Sequence, residues 1–511
     1  MDREGIRQRD RYVVTAMQDA LLPVGVVALP RVDVAARYLL SEDDRSAGGD
    51  WFDTVPLGDG RVGLVVGDVV GQGVTAASTM GQLRAVLTAA LLAREDPVEA
   101  LEEASRFAAA LPEARGATAV VALVDPAAGE RGSLRYCTAG HPPPLVVRAD
   151  GSAAFLPVTG GGPLGSGTPL QAAEAALGPG DLLLLYTDGL LVRPDAAAAS
   201  SLDDLLAAAT DACREAAPAA AGAVAEAACE LTLERLTRRT GVADDVTVLA
   251  AQLLPSRTED LLLDLPALPD TVRVVRLELG GWLADLRLSS IDQLALQQAV
   301  GELVGNAVEH AYPPGSQALH TSVRVRATHT DAGCIEVDVS DRGRWRPRPP
   351  GGTHRGLALA SGFVDHLERV PADTGTHLRV RHRALRPAHL LTATPGGAGA
   401  ETRAAREQPG LSVRRSASGD LALSGAVDPL SVDRLAAEVR RSTAGPDRPV
   451  VVDLSAVTLL CSGAVQVLSD AVPGAGSAHA PVVLRTPAGS VAELVLELTR
   501  VPYETIEGPP G

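Results

Sequence analysis

V-G-L-V-V-G-D-V-V-G-Q-G, residues 62–73, is an apolar run that breaks on Asp68 into a glycine-marked turn. Three more aspartates stand in the same kind of place: Asp50 in G-G-D-W-F-D (48–53), Asp188 in L-L-L-L-Y-T-D-G (182–189) and Asp244 in G-V-A-D-D-V-T-V-L (241–249). A carboxylate at the end of a buried strand is costly unless a cation or hydrogen bonds satisfy it. Four such ends, separated by long stretches of chain, could converge on one hard-metal site. All-oxygen sites suit Mg²⁺ or Mn²⁺, and two such ions can activate a water against a phosphate ester.

The 511 residues allow about three domains at roughly 150 residues each. The hydrophobic fraction of 46% supports packed cores, although alanine supplies much of it. A formal charge of -17 argues against nucleic acid and anionic membrane as partners. The charged N-terminus, M-D-R-E-G-I-R-Q-R-D-R, has no apolar h-region, and no apolar run approaches the ~20 residues of a membrane span. Five scattered cysteines without a C-x-x-C pair read as reduced thiols, and the expected location is cytoplasmic. The chain has no lysine, which excludes a Walker A lysine, a protein-kinase-type ATP lysine and any Schiff-base chemistry. Any ATP site must therefore hold phosphates with Mg²⁺, backbone amides and arginine.

The pattern divides the chain into a short helix with Val13, Met17 and Leu21 on one face (1–22), a mixed domain (23–254), a second α/β unit (258–386), a Gly/Pro-rich flexible linker (387–410) and a third α/β unit (411–507). The N-terminal stripe either mediates a homodimer or packs on its own chain. Helices are expected at about 74–94, 201–239, 291–312, 432–442, 462–470 and 491–498.

In the first unit, L-L-P (21–23), A-A-R-Y (35–38), G-G-D-W-F-D, G-D-V-V-G-Q-G-V-T-A-A (67–77), A-G-H-P-P-P-L (139–145), G-G-P-L-G (161–165), L-Y-T-D-G-L (185–190) and A-D-D-V-T-V-L (243–249) follow one another. In this order they resemble the stage II sporulation branch of the PPM-type serine/threonine phosphatases. The resemblance implies an αββα sandwich holding two Mn²⁺ or Mg²⁺ ions. Asp68 would bridge them, the Val69 carbonyl would add a ligand, Asp188 and Asp244 would complete one shell, and Asp50 would support the other ion. Asp245 would stand behind these ligands. Hydrolysis would proceed by in-line attack of water, without a phospho-enzyme. Gln72 stands where such phosphatases commonly carry histidine, and glutamine cannot transfer protons. His141 reads either as a catalytic acid or, more plainly, as a loop histidine packed against prolines.

The second unit carries E-L-V-G-N-A-V-E-H-A-Y (302–312), in which Glu302, Asn306 and His310 share a helix face. D-R-G (341–343), H-R-G-L-A-L (354–359) and G-T-H-L (375–378) follow. These boxes resemble the histidine-kinase-like (GHKL) ATPases, and among them the anti-sigma-factor serine kinases. The resemblance implies Mg-ATP binding: Asn306 on Mg²⁺, Glu302 activating the acceptor hydroxyl, Asp341 reading adenine, and Gly343, Gly356 and Thr376 shaping the pocket. His354 replaces a glycine usual in the phosphate lid, and His310 also reads as a packing residue.

The third unit contains V-V-V-D-L-S-A-V-T-L-L-C-S-G-A-V-Q-V-L (450–468), a strand, a turn and a helix start at Ser462. The plain reading of Ser462 is a helix N-cap. The pattern also resembles the STAS domain of anti-sigma-factor antagonists, in which the serine here accepts the kinase's phosphate, although Cys461 replaces the aspartate that often precedes it. The expected whole is an α/β and α+β multidomain chain: a PPM sandwich, a GHKL α/β sandwich and a STAS α/β domain. Its expected work is partner switching, in which the phosphatase and the ATP-dependent serine kinase act oppositely on a STAS antagonist, within this chain or separate, to control a sigma factor. The alternative is a scaffold whose kinase-like and STAS domains only bind partners.

Overall fold

The computed structural model describes residues 22–23, 25–40, 48–127, 131–191, 198–216, 223–237, 245–312, 321–343, 355–370, 372, 374–392, 411–416, 418–427, 431–443, 449–472 and 482–506. The Val13/Met17/Leu21 stripe, Asp244 and His354 lie outside the described residues. The chain forms two compact units. One comprises Met1–Thr258, His329–Cys334 and Ala384–Ala398; the other comprises Glu259–Thr328, Ile335–Arg383 and Gly399–Gly511.

The first unit is built on two sheets. One is five-stranded, in the order Trp51–Pro56, Val62–Asp68, Thr118–Asp125, Gly132–Ala139 and Ala173–Leu177. The other is six-stranded, in the order His389–Thr392, Val32–Leu40, Val246–Leu253, Leu182–Tyr186, Leu145–Val147 and Ala153–Phe155. Strand periodicity of two decides what each face buries. Val34, Ala36, Leu64, Val66, Val120, Leu183, Leu185 and Leu249 meet in one cluster between the sheets. The intervening residues face outward. Val65 and Val121 pack under the helices Val74–Arg94 and Pro97–Ala110 through Leu83, Leu87 and Leu101. Leu182, Leu184 and Val248 pack under Ala198–Ala216 and Val224–Thr237 through Leu205, Ala209 and Leu233. The result is the expected helix–sheet–sheet–helix sandwich.

The expected linker at 387–410 is corrected at its start. Leu385–Pro387 pairs antiparallel with Gly25–Val27, and His389–Thr392 runs parallel to Val32–Leu40 as the edge of the six-stranded sheet. Four residues are too few to display a period, but an open sheet edge supplies the ladder bonds they need. Arg386 clamps this addition through a buried ion pair with Asp33, 2.6 Å apart, and Asp33 also accepts the Ala225 amide hydrogen. His329 adds an Nε2 contact to the Ala28 carbonyl at 3.1 Å.

The second unit contains a five-stranded sheet ordered Leu261–Pro266, Ser322–His329, Cys334–Asp341, His377–Arg383 and His366–Arg369, with helices Pro269–Asp285, Ser290–His310 and Arg355–Phe363. It also contains the sheet Ser412–Arg415, Leu421–Val427, Val450–Leu460, Val482–Pro487 and Glu504–Ile506, antiparallel at its first pair and parallel thereafter. Helices Val432–Thr443, Ser462–Ala471 and Val491–Thr499 accompany it. Among the described residues no helix is long and apolar enough to cross a membrane.

Candidate functional site

The turns that carry Asp50, Asp68 and Asp188 are hydrogen-bonded to one another at one end of the sandwich. Asp68 closes the Val62–Asp68 strand, and the next residue, Val69, donates its amide hydrogen to the Gly49 carbonyl at 3.1 Å. That bond brings the Gly48-Gly49-Asp50 turn beside the Asp68–Val69 corner. A Cβ on Gly49 would sit 2.1 Å from the Val69 oxygen, and one on Gly48 would sit 1.4 Å from Asp245 Oδ2, so both positions require glycine. Asp50 is buried, and its Oδ2 accepts the Thr187 hydroxyl hydrogen at 2.6 Å. Thr187 Oγ1 in turn accepts from the Thr247 amide at 2.9 Å. Asp188, the next residue, opens a single 3-10 turn and is exposed.

Asp245 is buried and receives the Tyr38 hydroxyl hydrogen at 2.8 Å. Gln72 is exposed. His141 is buried between Thr118 and the Tyr186 carbonyl, and burial pushes its pKa down to about 3. It is neutral at working pH, which speaks against the catalytic acid.

Among the described residues no three His, Cys, Asp or Glu side chains form a ready metal cluster, and Asp244 lies outside them. The donor chemistry nonetheless suits a hard divalent cation: Asp50, Asp68, Asp188 and the Val69 carbonyl offer only oxygen, on turns held by Gly48 and Gly49.

In the second unit, Glu302 and Asn306 lie half-buried on the helix Ser290–His310. The Asn306 amide nitrogen is buried with no hydrogen-bond partner among the described residues, which suits a side chain that awaits a polar ligand. Asp341 Oδ1 accepts from the Gly343 amide at 2.8 Å and the Thr376 amide at 3.3 Å. Burial raises the pKa of this carboxyl. Gly375 has φ of +77°, and a Cβ there would meet the Asp341 carbonyl at 1.8 Å. Asp341, Gly343 and Thr376 are thus one local assembly, while Gly356 lies in the first turn of Arg355–Phe363. His310, partly exposed, has its Nε2 3.7 Å from the Glu309 carboxylate.

The helix start in the STAS-like part corrects one reading. Cys461, not Ser462, is the N-cap residue, and it makes no side-chain cap bond; Ser462 is the first helical residue. Within the same unit, Gln298 on the Ser290–His310 helix lies 3.5 Å from the Leu460 carbonyl, two residues before Ser462.

Three family models match in order: Stage II sporulation protein E (SpoIIE) over residues 58–254, a histidine kinase-like ATPase domain over 265–382, and a Mlab-type STAS domain over 412–500. The RsbU and RsbW domains of Rv1364c from Mycobacterium tuberculosis are 39% identical, with a TM-score of 0.63 over 73% of this chain and 98% of that one. This chain belongs to the SpoIIE/RsbU-type PPM phosphatases, joined to a histidine-kinase-like ATPase domain and a STAS domain. The catalytic domain of the serine/threonine phosphatase PstP, solved with two manganese ions, is 19% identical over 44% of this chain and 99% of that one, with a TM-score of 0.30. Protein IcfG of Synechocystis is 24% identical, the match spanning 37% of this chain and about a third of that relative (33%).

For a SpoIIE-type phosphatase the sequence motifs name the carboxylates but not what holds them. Thr187, Thr247, Tyr38 and Thr118 were missed as site residues. Thr187 and Tyr38 lie inside the quoted motifs Y-T-D-G and A-A-R-Y, so adjacency was the available signal.

Proposed function

We propose that the chain is a partner-switching regulator whose phosphatase domain removes phosphate from the serine of a STAS antagonist. The gathering of Asp50, Asp68, Val69 and Asp188 at one end of the sandwich carries this reading. Asp50, Asp68, the Val69 carbonyl, Asp188 and Asp244 would hold two Mn²⁺ or Mg²⁺ ions. When bound, such ions supply an activated water and neutralise charge on the phosphoryl group. Thr187 orients the Asp50 carboxylate through its hydroxyl hydrogen bond. Neither His141, neutral and enclosed, nor Gln72, an amide, provides a proton shuttle.

The second domain is read as a Mg-ATP-dependent serine kinase, with Asn306 toward the metal, Glu302 toward the acceptor hydroxyl and Asp341 toward adenine. The Gln298–Leu460 approach supports an acceptor in the same chain, at Ser462. A phosphate there would sit at a helix N-terminus yet add about two charges to a docking surface. The downstream partner is then a sigma factor bound or released by the ATPase domain.

The test uses the full chain with Asp68→Ala, incubated with Mg-ATP and mapped by mass spectrometry. Phosphate on Ser462, removed by the unaltered protein with Mn²⁺, is the expected result. No phosphate on Ser462 or on added STAS proteins would leave only the scaffold reading. Loss of ATP binding as well would remove that too.

A further inference from the structure

His141 joins the two sheets of the phosphatase at the end where the carboxylates gather. The residue is 3% exposed. Nε2 lies 3.1 Å from the Tyr186 carbonyl and Nδ1 lies 2.9 Å from Thr118 Oγ1. A carbonyl can only accept, so Nε2 carries the hydrogen and Nδ1 accepts from the Thr118 hydroxyl. Both ring nitrogens are thereby used, and one tautomer is fixed.

The partners give this bond pair its significance. Thr118 stands in the five-stranded sheet directly opposite Asp68 in the ladder. Tyr186 ends the six-stranded-sheet strand that runs on into Thr187 and Asp188. The imidazole therefore links the strand end bearing Asp68 to the one bearing Asp188. Packed sheets lie about 10 Å apart and have no backbone bonds between them, so their spacing at this end depends on side chains. Thr187→Asp50 is one such link and His141 is another.

We propose that His141 is a positioning residue of the phosphatase site, a neutral strut that fixes the separation of the Asp68 and Asp188 strand ends and so sets divalent-metal affinity. The proposal rests on the metal-phosphatase reading above. Two rival roles predict different behaviour. A proton carrier would shape the pH profile, and a mere packing residue would affect stability while leaving the metal affinity of the folded protein unchanged.

The experiment measures Mn²⁺ binding to the full chain by calorimetry without substrate, alongside kcat against pH on p-nitrophenyl phosphate. Thr118→Val removes one end of the strut with little change of volume and is expected to weaken Mn²⁺ binding about tenfold or more. Thr118→Ser should restore it. His141→Leu should weaken binding at least as much. His141→Gln, which presents both a donor and an acceptor, should recover most of the affinity and keep the shape of the pH profile. Unchanged Mn²⁺ affinity in folded Thr118→Val would overturn the strut, whether or not His141→Leu folds. A lost limb of the pH profile in His141→Gln would overturn it in favour of proton transfer. Asp68→Ala separates the two levels: if it leaves Mn²⁺ binding intact, the metal reading itself fails and the strut falls with it.

Discussion

Thr187 and Asp50 share a 2.6 Å hydrogen bond although they lie 137 residues apart and belong to strand ends of opposite sheets. The same hydroxyl oxygen accepts the Thr247 amide hydrogen, so one small side chain orients a carboxylate and satisfies a buried donor. Thr187→Val keeps the shape and removes both bonds. Mn²⁺ affinity should fall about 10–100-fold, the usual cost of losing a ligand's supporting bond. Calorimetric titration checks the affinity. Thermal melting of the metal-free protein should also register the unpaired Thr247 amide, at about 1–3 kcal/mol.

Gln72 lies exposed between Gly71 and Gly73, both at positive φ, so a substitution there changes chemistry rather than packing. Gln72→His supplies a group that titrates near neutrality. Turnover should rise about tenfold or more while KM stays put, and kcat should gain a pH limb near ~6.5. Steady-state kinetics from pH 5.5 to 8.5 decide it; a flat response would remove this position from the chemistry.

Two buried histidines make the phosphatase unit acid-labile. Burial pushes His141 down from 6.5 to about 3 and, with Arg386 and Arg257 nearby, His329 down from 6.5 to about 4. Both pKa values are depressed on folding, so the unfolded chain binds more protons between the folded and unfolded values. Stability is therefore fully present above about 6.5 and falls as pH drops toward 4 and then 3. The melting temperature of the phosphatase transition should decline from pH 7 to 5, and replacing both residues with glutamine should flatten that decline.

Arg386 is expected to matter for a domain that ends, by motif, long before it. Asp33 is fully buried and its carboxylate depends on this guanidinium. Arg386→Ala should destabilise the phosphatase unit by about 3–5 kcal/mol, the cost of stranding a buried charge. Asp33→Asn combined with Arg386→Leu should recover part of that loss. Calorimetry of the full chain would show it in one transition only.

Asp341 is the ATPase residue whose replacement is most informative. Asp341→Asn retains an acceptor for the Gly343 and Thr376 amides while removing the charge. ATP affinity should drop about tenfold or more, with GTP unaffected or improved, as read by competition against a fluorescent nucleotide. Equal ATP binding would mean that adenine is recognised elsewhere.

The sequence was most legible where periodicity had room to show. The helix Val74–Arg94 and the strand Val62–Asp68 stand where their patterns put them, and Asp68 and Asp188 stood out in the sequence because each breaks an apolar run. The alanine-rich helical stretch at about 201–239 comprises two helices, Ala198–Ala216 and Val224–Thr237, with Pro218 between them in the sequence. Pro97–Ala110 carried a readable start, an Asp96 cap followed by proline at the first helical position, and was overlooked. Gly25–Val27, Leu145–Val147 and His389–Thr392 could not have been read, because three or four residues hold no period and exist only through the strands they pair with. The hydroxyls of Thr187 and Tyr38 belong to the same class: their roles come from partners far away in the chain.

The edge strand His389–Thr392 has a consequence for biosynthesis. Every other strand of its sheet has left the ribosome by Leu253, yet this one follows the whole ATPase segment. At ~5–20 residues per second, the nascent phosphatase waits on the order of ten seconds with Val32–Leu40 as an unpaired edge. During that interval Asp33 lacks Arg386. A free phosphatase cut at its motif boundary would remain permanently at this stage of its own synthesis.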